Sequence, residues 1–200
     1  MEYLPIRRAL LSVTHKDGLV DLGKRLVDHG VELVSTGGTY KALTAEGLPV
    51  TAVSQVTGFP EILGGRVKTL HPFIHGGILA DKDNPEHLDA LSTLKIEAFD
   101  LICVNLYDFA SAVRDGLPLT RAVEEIDIGG PCMIRAASKN YHSVLVLPET
   151  AAYAPFLEEF SRNDGKISLE FRRAMAMRAF ALTSRYDAMI SEYLEKAGEN

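Results

Sequence analysis

Cysteine is scarce in this sequence. The two present, Cys103 and Cys132, are too few for a disulfide framework. Both lie in apolar stretches, where a free thiol packs as a small hydrophobe, so core positions are expected rather than reactive ones. Basic runs are also missing. The 21 Lys and Arg are scattered among 27 Asp and Glu, for a net charge of −6, which argues against a nucleic-acid-binding surface. An acidic chain binds an anion only by gathering positive charge locally, so Lys and Arg beside glycines are the places to look. No apolar run approaches the length of a membrane span. The opening Met1-Glu2-Tyr3-Leu4-Pro5 lacks the basic start and apolar stretch of a signal peptide, so a cytoplasmic protein is expected. Neither G-x-x-x-x-G-K-[ST] nor G-x-G-x-x-G occurs, which removes the two commonest phosphate-loop signatures. His71 and His75 are four apart, but Pro72 is expected to prevent a regular helix between them. With no cysteine or acidic partner near, no metal site is expected.

What is present is an ordinary globular composition, 46% hydrophobic and 24% charged over 200 residues. That suffices for one domain, residues 1–200, with its own core. Strand-like and helix-like segments alternate. Strands are expected at 9–13, 31–35, 50–53, 99–105 and 143–147. Helices are expected at 17–29, 39–46, 84–94, 131–140, 150–160 and 169–194. The run FDLICVN from Phe99 is apolar with little alternation, as in a strand covered on both faces. The pattern predicts an α/β fold, three-layered, with a mainly parallel central sheet flanked by helices. Residues 54–77, with five glycines and two prolines, fit no period, and long irregular segments in compact domains are usually functional. On the last helix Met175, Ala179, Leu182, Tyr186, Met189 and Tyr193 form an apolar stripe, which packs on the domain's own core or on another subunit.

In open α/β sheets ligands bind beyond the carboxyl ends of the strands. The first strand leads into Ser12-Val13-Thr14-His15-Lys16, and the second into Ser35-Thr36-Gly37-Gly38-Thr39. Hydroxyls and glycines at a strand-to-helix turn leave N–H groups free for an anion. The same residues also serve as plain helix caps. Arg66 and Lys68 follow Gly64-Gly65 and precede Thr69, an arrangement suited to a loop over an anionic ligand. Ile126-Asp127-Ile128-Gly129-Gly130-Pro131 places a carboxylate in an apolar setting, which raises its proton affinity and suits a base. Pro131 fits a first helical position, and the N–H groups before it resemble an oxyanion hole. Arg135 and Lys139 share a helix face, a repulsion that a nearby carboxylate or anion would remove; otherwise both are solvated. Asn105 and Tyr107 end the strongest strand, with Tyr107 either a core aromatic or a proton donor.

Six segments occur in order: SVTHKDGL from Ser12, STGGT from Ser35, TGFPEILGGRVKTLHP from Thr57, HGGIL from His75, VNLYDF from Val104 and IDIGGPCMIRAASKN from Ile126. Together they resemble the inosine monophosphate cyclohydrolase domain of the bifunctional purine-biosynthesis enzyme. The resemblance implies a methylglyoxal-synthase-like fold. It also implies closure of 5-formamidoimidazole-4-carboxamide ribonucleotide to inosine monophosphate with loss of water, and no metal or organic cofactor. By motif position Ser12, Thr14, Lys16, Thr36, Gly37, Gly38 and Thr39 would hold the phosphate and ribose. Arg66, Lys68, Thr69 and Asn105 would hold the base. Lys68, Tyr107, Asp127 and Lys139 would transfer protons, and N–H groups from Asp127 through Ile128 to Gly129 would stabilise an oxyanion. The expected partners are a purine ribonucleotide, a second copy of the chain in a homodimer, and a separate transformylase acting one step earlier, with no nucleic acid or membrane. The chain departs from the family's usual residues at His15, Asp17, Asp108 and Ser138, none of them a proposed catalytic position. Two other activities share the phosphate turns, a methylglyoxal synthase-type lyase and a non-enzymatic nucleotide-sensing domain. The first would not need the Arg66 and Asp127 segments together, and the second has no use for Lys68, Tyr107, Asp127 and Lys139 as a set.

Overall fold

The computed structural model describes residues 1–197. In chain order the strands are β1 (Tyr3–Pro5), β2 (Arg8–Ser12), β3 (Glu32–Ser35), β4 (Val50–Ala52), β5 (Leu101–Val104), β6 (Leu145–Leu147) and β7 (Lys166–Ser168). The helices are α1 (Leu19–Asp28), α2 (Gly37–Ala45), α3 (Val53–Thr57), α4 (Pro72–Leu79), α5 (Pro85–Leu94), α6 (Phe109–Arg114), α7 (Leu119–Ala122), α8 (Gly129–Lys139), α9 (Tyr153–Arg162) and α10 (Leu169–Ala197). Single three-ten turns occupy Leu63–Gly65, Val123–Glu125 and Thr150–Ala152.

Five strands form one parallel sheet in the order β4-β3-β2-β5-β6. Leu11 stands beside Ser35 on one side and Cys103 on the other. β2 and β5 are covered by helices on both faces, and Ala9–Leu11 of β2 and all of β5 are apolar with no polar alternation. The helices form two groups. One has α8 packed against both α4 and α10, and the other has α1 with α2 and α9. From β2 the chain winds outward through β3 and β4, then crosses back to β5 and winds the other way. The order therefore reverses between β2 and β5, which is where an open α/β sheet leaves a crevice. β1 and β7 pair antiparallel outside this sheet, with Leu4 opposite Ile167.

Local chemistry explains the boundaries. α1 buries Leu19, Leu22 and Leu26 along one face and stops where Gly30 takes φ 76° and donates to the Val27 carbonyl. α5 opens on Asn84, whose side chain accepts from the Glu86 N–H at 2.9 Å, with Pro85 in the first turn. Cys103 is fully buried, its thiol is 3.3 Å from the Tyr153 hydroxyl, and burial pushes its pKa up to about 12. It is the inert core residue expected, whereas Cys132 is only half-buried on α8. The C-terminal stripe packs on the chain's own core: Met175, Ala179 and Tyr186 are buried, and Tyr193 meets Phe109 edge-on at 5.4 Å.

Three local expectations need correction. Residues 54–77 are not wholly irregular, since α3 ends and α4 begins within them. Pro72 does not prevent a helix after His71. It occupies the first turn of α4, and the His71 ring nitrogen caps that turn by accepting from Phe73 N–H at 3.1 Å. Pro131 does not open α8 either, because Gly129 and Gly130 precede it within the helix.

Candidate active site

A cavity of about 640 Å³ lies beyond the carboxyl ends of β2, β3 and β5, at the reversal of strand order. It brings together all the expected residues but Lys139. Ser12, Thr14 and Lys16 come from the turn after β2, and Thr36, Gly37, Gly38 and Thr39 from the start of α2. Asn105 and Tyr107 follow β5. Arg66, Lys68 and Thr69 come from the loop before α4, and Asp127, Ile128 and Gly129 from the approach to α8.

The first wall is an anion cradle. Gly37 takes φ 56°, and the preceding Thr36 makes no side-chain cap at the start of α2. A Cβ placed on Gly38 would sit 3.6 Å from the Lys16 ammonium, and one on Gly37 would sit 3.8 Å from the Lys68 ammonium. Two lysines from distant segments therefore converge on one helix N-terminus, where the backbone already favours negative charge. Lys16 is tethered by donating to the Thr14 carbonyl at 3.2 Å.

Thr39 and Asn105, both expected at the ligand, already have hydrogen-bond partners within the chain. Thr39 Oγ1 accepts from Val13 N–H at 2.8 Å and donates to Val13 carbonyl at 2.9 Å, fastening α2 to the turn after β2. Asn105 Oδ1 accepts from the N–H groups of Thr14 at 2.6 Å and His15 at 3.1 Å, and Nδ2 donates to the His15 carbonyl at 3.0 Å. These side chains spend their polar atoms shaping the cradle. Both also line the cavity.

The opposite wall is the turn into α8. The Asp127 N–H donates to the Tyr186 hydroxyl at 2.8 Å, and Asp127 Oδ1 accepts from Gly130 N–H at 2.9 Å. The first bond corrects the expectation that the Asp127 N–H belongs to an oxyanion hole, because it is already engaged. Those of Ile128 and Gly129 make no hydrogen bond to the described residues. A side chain at either glycine would force a neighbouring side chain to move. A Cβ on Gly129 would lie 2.6 Å from Thr69 Oγ1, and one on Gly130 would collide with the Asp127 carboxylate. Burial raises the Asp127 pKa above the usual carboxylate value. The N–H of Gly130, the charge on Lys68 and the N–H of Tyr107 pull it back in part. The direction agrees with the expectation from its apolar flanks. Asp108, beside Tyr107, points its charge elsewhere: it caps α6 by accepting from Ser111 N–H at 3.0 Å and faces Arg114 at 3.6 Å.

Lys139 stands apart. It is exposed at the C-terminal end of α8, roughly 15 Å along the helix from the Gly129 turn. Arg135 is exposed one turn earlier, its guanidinium 5.7 Å from the Phe180 ring centre. Three polar side chains at the site were not foreseen. Glu124, in the three-ten turn, grips Arg66 with two hydrogen bonds, at 3.1 and 2.5 Å, across the cavity mouth. Glu61 lines the same mouth. Tyr186 reaches the Asp127 turn from α10, and its place in the apolar stripe was legible while its hydroxyl's partner was not. Glu124 lies in a short segment without helical or strand period, which offered no signal.

Residues 18–132 match the family model described as MGS-like domain. The chain belongs to the MGS-like domain family. The methylglyoxal-synthase-like α/β fold expected from the motifs is therefore borne out. Beyond the MGS-like match, residues 137–200 match the model described as AICARFT/IMPCHase bienzyme. The chain is 52% identical over 193 residues to the Bifunctional purine biosynthesis protein PurH of Ruegeria sp. (strain TM1040), covering 96% of this chain and 36% of that protein. It is 53% identical over 188 residues to the protein of the same name from Rhizobium johnstonii, covering 94% of this chain and 35% of that one. This MGS-like chain thus spans about a third of the length of the curated relatives it matches. Among solved structures it is similar to the one titled "Crystal structure of ForH", with TM-score 0.86 and 32% identity, covering 96% of this chain and 98% of that chain. Among the described residues no three His, Cys, Asp or Glu side chains come together as a metal site, and no helix is long and apolar enough to cross a membrane.

Proposed function

We propose that the chain is an IMP cyclohydrolase, closing 5-formamidoimidazole-4-carboxamide ribonucleotide to inosine monophosphate and water. The observation that carries this reading is a single cavity with an anion cradle on one wall and, on the other, a buried carboxylate beside two unbonded N–H groups. The similarity to purine biosynthesis proteins over nearly the whole chain supports it.

In this reading the phosphate sits at the N-terminus of α2 between Lys16 and Lys68, with Ser12, Thr14 and Thr36 around the ribose. The base extends toward Arg66, Thr69 and the Asp127 turn. The two reacting groups belong to one molecule, so the cavity's first task is to fold them into contact. The carboxamide nitrogen attacks the formyl carbon and a C–N bond forms. The negative charge on the former formyl oxygen is met by the N–H groups of Ile128 and Gly129. Asp127 takes one proton from the attacking nitrogen, and Lys68 or Tyr107 protonates the oxyanion to a hydroxyl. Asp127 then returns its proton to that hydroxyl, the C–O bond breaks and water leaves, while the formamido nitrogen gives its proton back to Lys68 or Tyr107 and forms the new C=N bond. Lys139 is out of reach within one chain, so its proposed part in proton transfer requires a second copy to deliver it. The protein acts as a cytoplasmic homodimer on a formylated ribonucleotide that a transformylase supplies.

The test is direct. Purified protein mixed with the formamido ribonucleotide should form inosine monophosphate, followed by absorbance or chromatography. Lys68→Met and Asp127→Asn should each lower kcat by about 10²–10⁴. Folded protein that yields no product overturns the reading.

A further inference from the structure

The donors available at the turn into α8 can be accounted for one by one. Pro131 has no N–H, and the Gly130 N–H is taken by the Asp127 carboxylate at 2.9 Å. The Asp127 N–H is taken by the Tyr186 hydroxyl at 2.8 Å, from a residue 59 positions later in the chain. Those of Ile128 and Gly129 remain. We propose that Tyr186 is a positioning residue for the reaction, its hydroxyl turning the Asp127 peptide so that the next two N–H groups face the reacting oxygen. The proposal rests on the cyclohydrolase reading and goes beyond it by assigning a role to a side chain of α10.

The geometry supports a fixed brace rather than an incidental contact. Tyr186 is 5% exposed, so its ring is held by packing on a helix that lies along α8. Peptide planes rotate as units, so anchoring the Asp127 N–H also fixes the carbonyl of Ile126 and limits the approach to Ile128. Thr69 crowds the turn from the other side, where a Cβ on Gly129 would lie 2.6 Å from its hydroxyl. Burial pushes the Tyr186 phenol up to about 12, so at neutral pH it is uncharged and remains an acceptor with its own proton in place. Without the hydroxyl, the Asp127 N–H would lose its partner behind the turn and compete for the same oxygen as its neighbours. Donor alignment governs the stabilisation of a developing oxyanion far more than it governs ground-state binding.

Tyr186→Phe removes one oxygen and keeps the ring. The expected result is a kcat lower by about ten- to a hundred-fold, with affinity for inosine monophosphate within about twofold of the parent. Leu182→Ala, on the same helix and packed against the core but outside the site, controls for lost stability. It should lower the thermal midpoint and leave kcat unchanged well below that midpoint. A Tyr186→Phe enzyme with parental kcat overturns the proposal, as does one that loses kcat and product affinity in equal measure. A second measurement uses the parent protein alone. Amide exchange by NMR should find the Asp127 N–H protected, and those of Ile128 and Gly129 exchanging rapidly until product is added. Rapid exchange at Asp127 would also overturn the proposal. A parent that makes no inosine monophosphate removes the cyclohydrolase reading instead, and leaves the exchange result to judge the brace.

Discussion

Lys16 and Lys68 approach α2 from opposite segments, and their ammonium groups lie near Gly38 and Gly37, respectively. If Lys16 holds the phosphate, Lys16→Ala should raise KM about ten- to a hundred-fold and lower kcat much less, the loss of one charge-assisted contact of about 1.5–3 kcal/mol. Steady-state kinetics check this, and an unchanged KM would place the phosphate elsewhere. Asp127 carries the opposite trade. Its folded-state pKa is raised by burial, so its ionised form costs stability above that pKa. Well below the ordinary aspartate value of about 4 both states are protonated and the cost vanishes. Asp127→Asn keeps the oxygen that accepts from Gly130. The variant should therefore be inactive yet more stable than the parent at pH 7, with the advantage shrinking as pH falls toward 4. Thermal melts over that range decide it, and a less stable Asn variant at pH 7 would contradict the burial argument.

At the scale of elements, the cavity mouth is clasped by two irregular segments. The loop before α4 closes through a bridge between Ile62 and Val67, with positive φ at Leu63, Gly64 and Gly65 in succession. Its Arg66 reaches Glu124, both side chains more than half exposed, at 63% and 54%. A pair that exposed contributes about 0–1 kcal/mol to stability, so its weight falls on ligand binding: a nucleotide that uses Arg66 must displace Glu124. Glu124→Gln should lower KM a few-fold and leave the urea midpoint nearly unchanged; a raised KM would mean that Glu124 itself contacts the substrate. Helix α4 behind this loop packs so closely that a Cβ on Gly77 would lie 2.6 Å from the Glu97 carbonyl and 3.1 Å from Phe99. Gly77→Ala should therefore destabilise by about 1–3 kcal/mol, read by chemical denaturation.

At the scale of the whole molecule, Arg172 ties the first residue to the segment before β6 and to β7. It is fully buried, and its guanidinium donates to the carbonyls of Met1 at 2.7 Å, Tyr141 at 2.9 Å, His142 at 3.1 Å and Ile167 at 2.5 Å. Arg172→Leu strands these acceptors and should cost about 3 kcal/mol or more, with a matching loss of the urea midpoint. Retained stability would show that water replaces the guanidinium. The proposed homodimer is read by light scattering at micromolar concentration. If a second copy delivers Lys139, mixing inactive Lys68→Met and Lys139→Met chains after co-refolding should restore activity, because a mixed dimer contains one site with both lysines.

Much of this protein was written locally. The apolar runs at β2, β5 and β6, the periodic face of α1 and the Asn84 cap of α5 are properties of neighbouring residues, and each element formed close to where its pattern lay. The glycine-rich turns after β2 and β3 and the segments around Arg66 and Asp127 were equally legible, because glycine and cation spacing is a feature of the linear chain. Short α4 was hidden, since a proline inside an apolar stretch reads as a break unless the capping geometry of His71 is known. The pairing of β1 with β7 joins residues more than 160 positions apart, and no local pattern specifies that. Only the tertiary structure decided what each polar group does. Asn105 and Thr39 became braces, Glu124 came to hold Arg66, Tyr186 took the Asp127 N–H, and Lys139 was placed at the far end of its helix. The physical reason is that a hydrogen bond depends on ångström-scale approach between segments distant in sequence, whereas helix and strand periods depend only on neighbours along the chain.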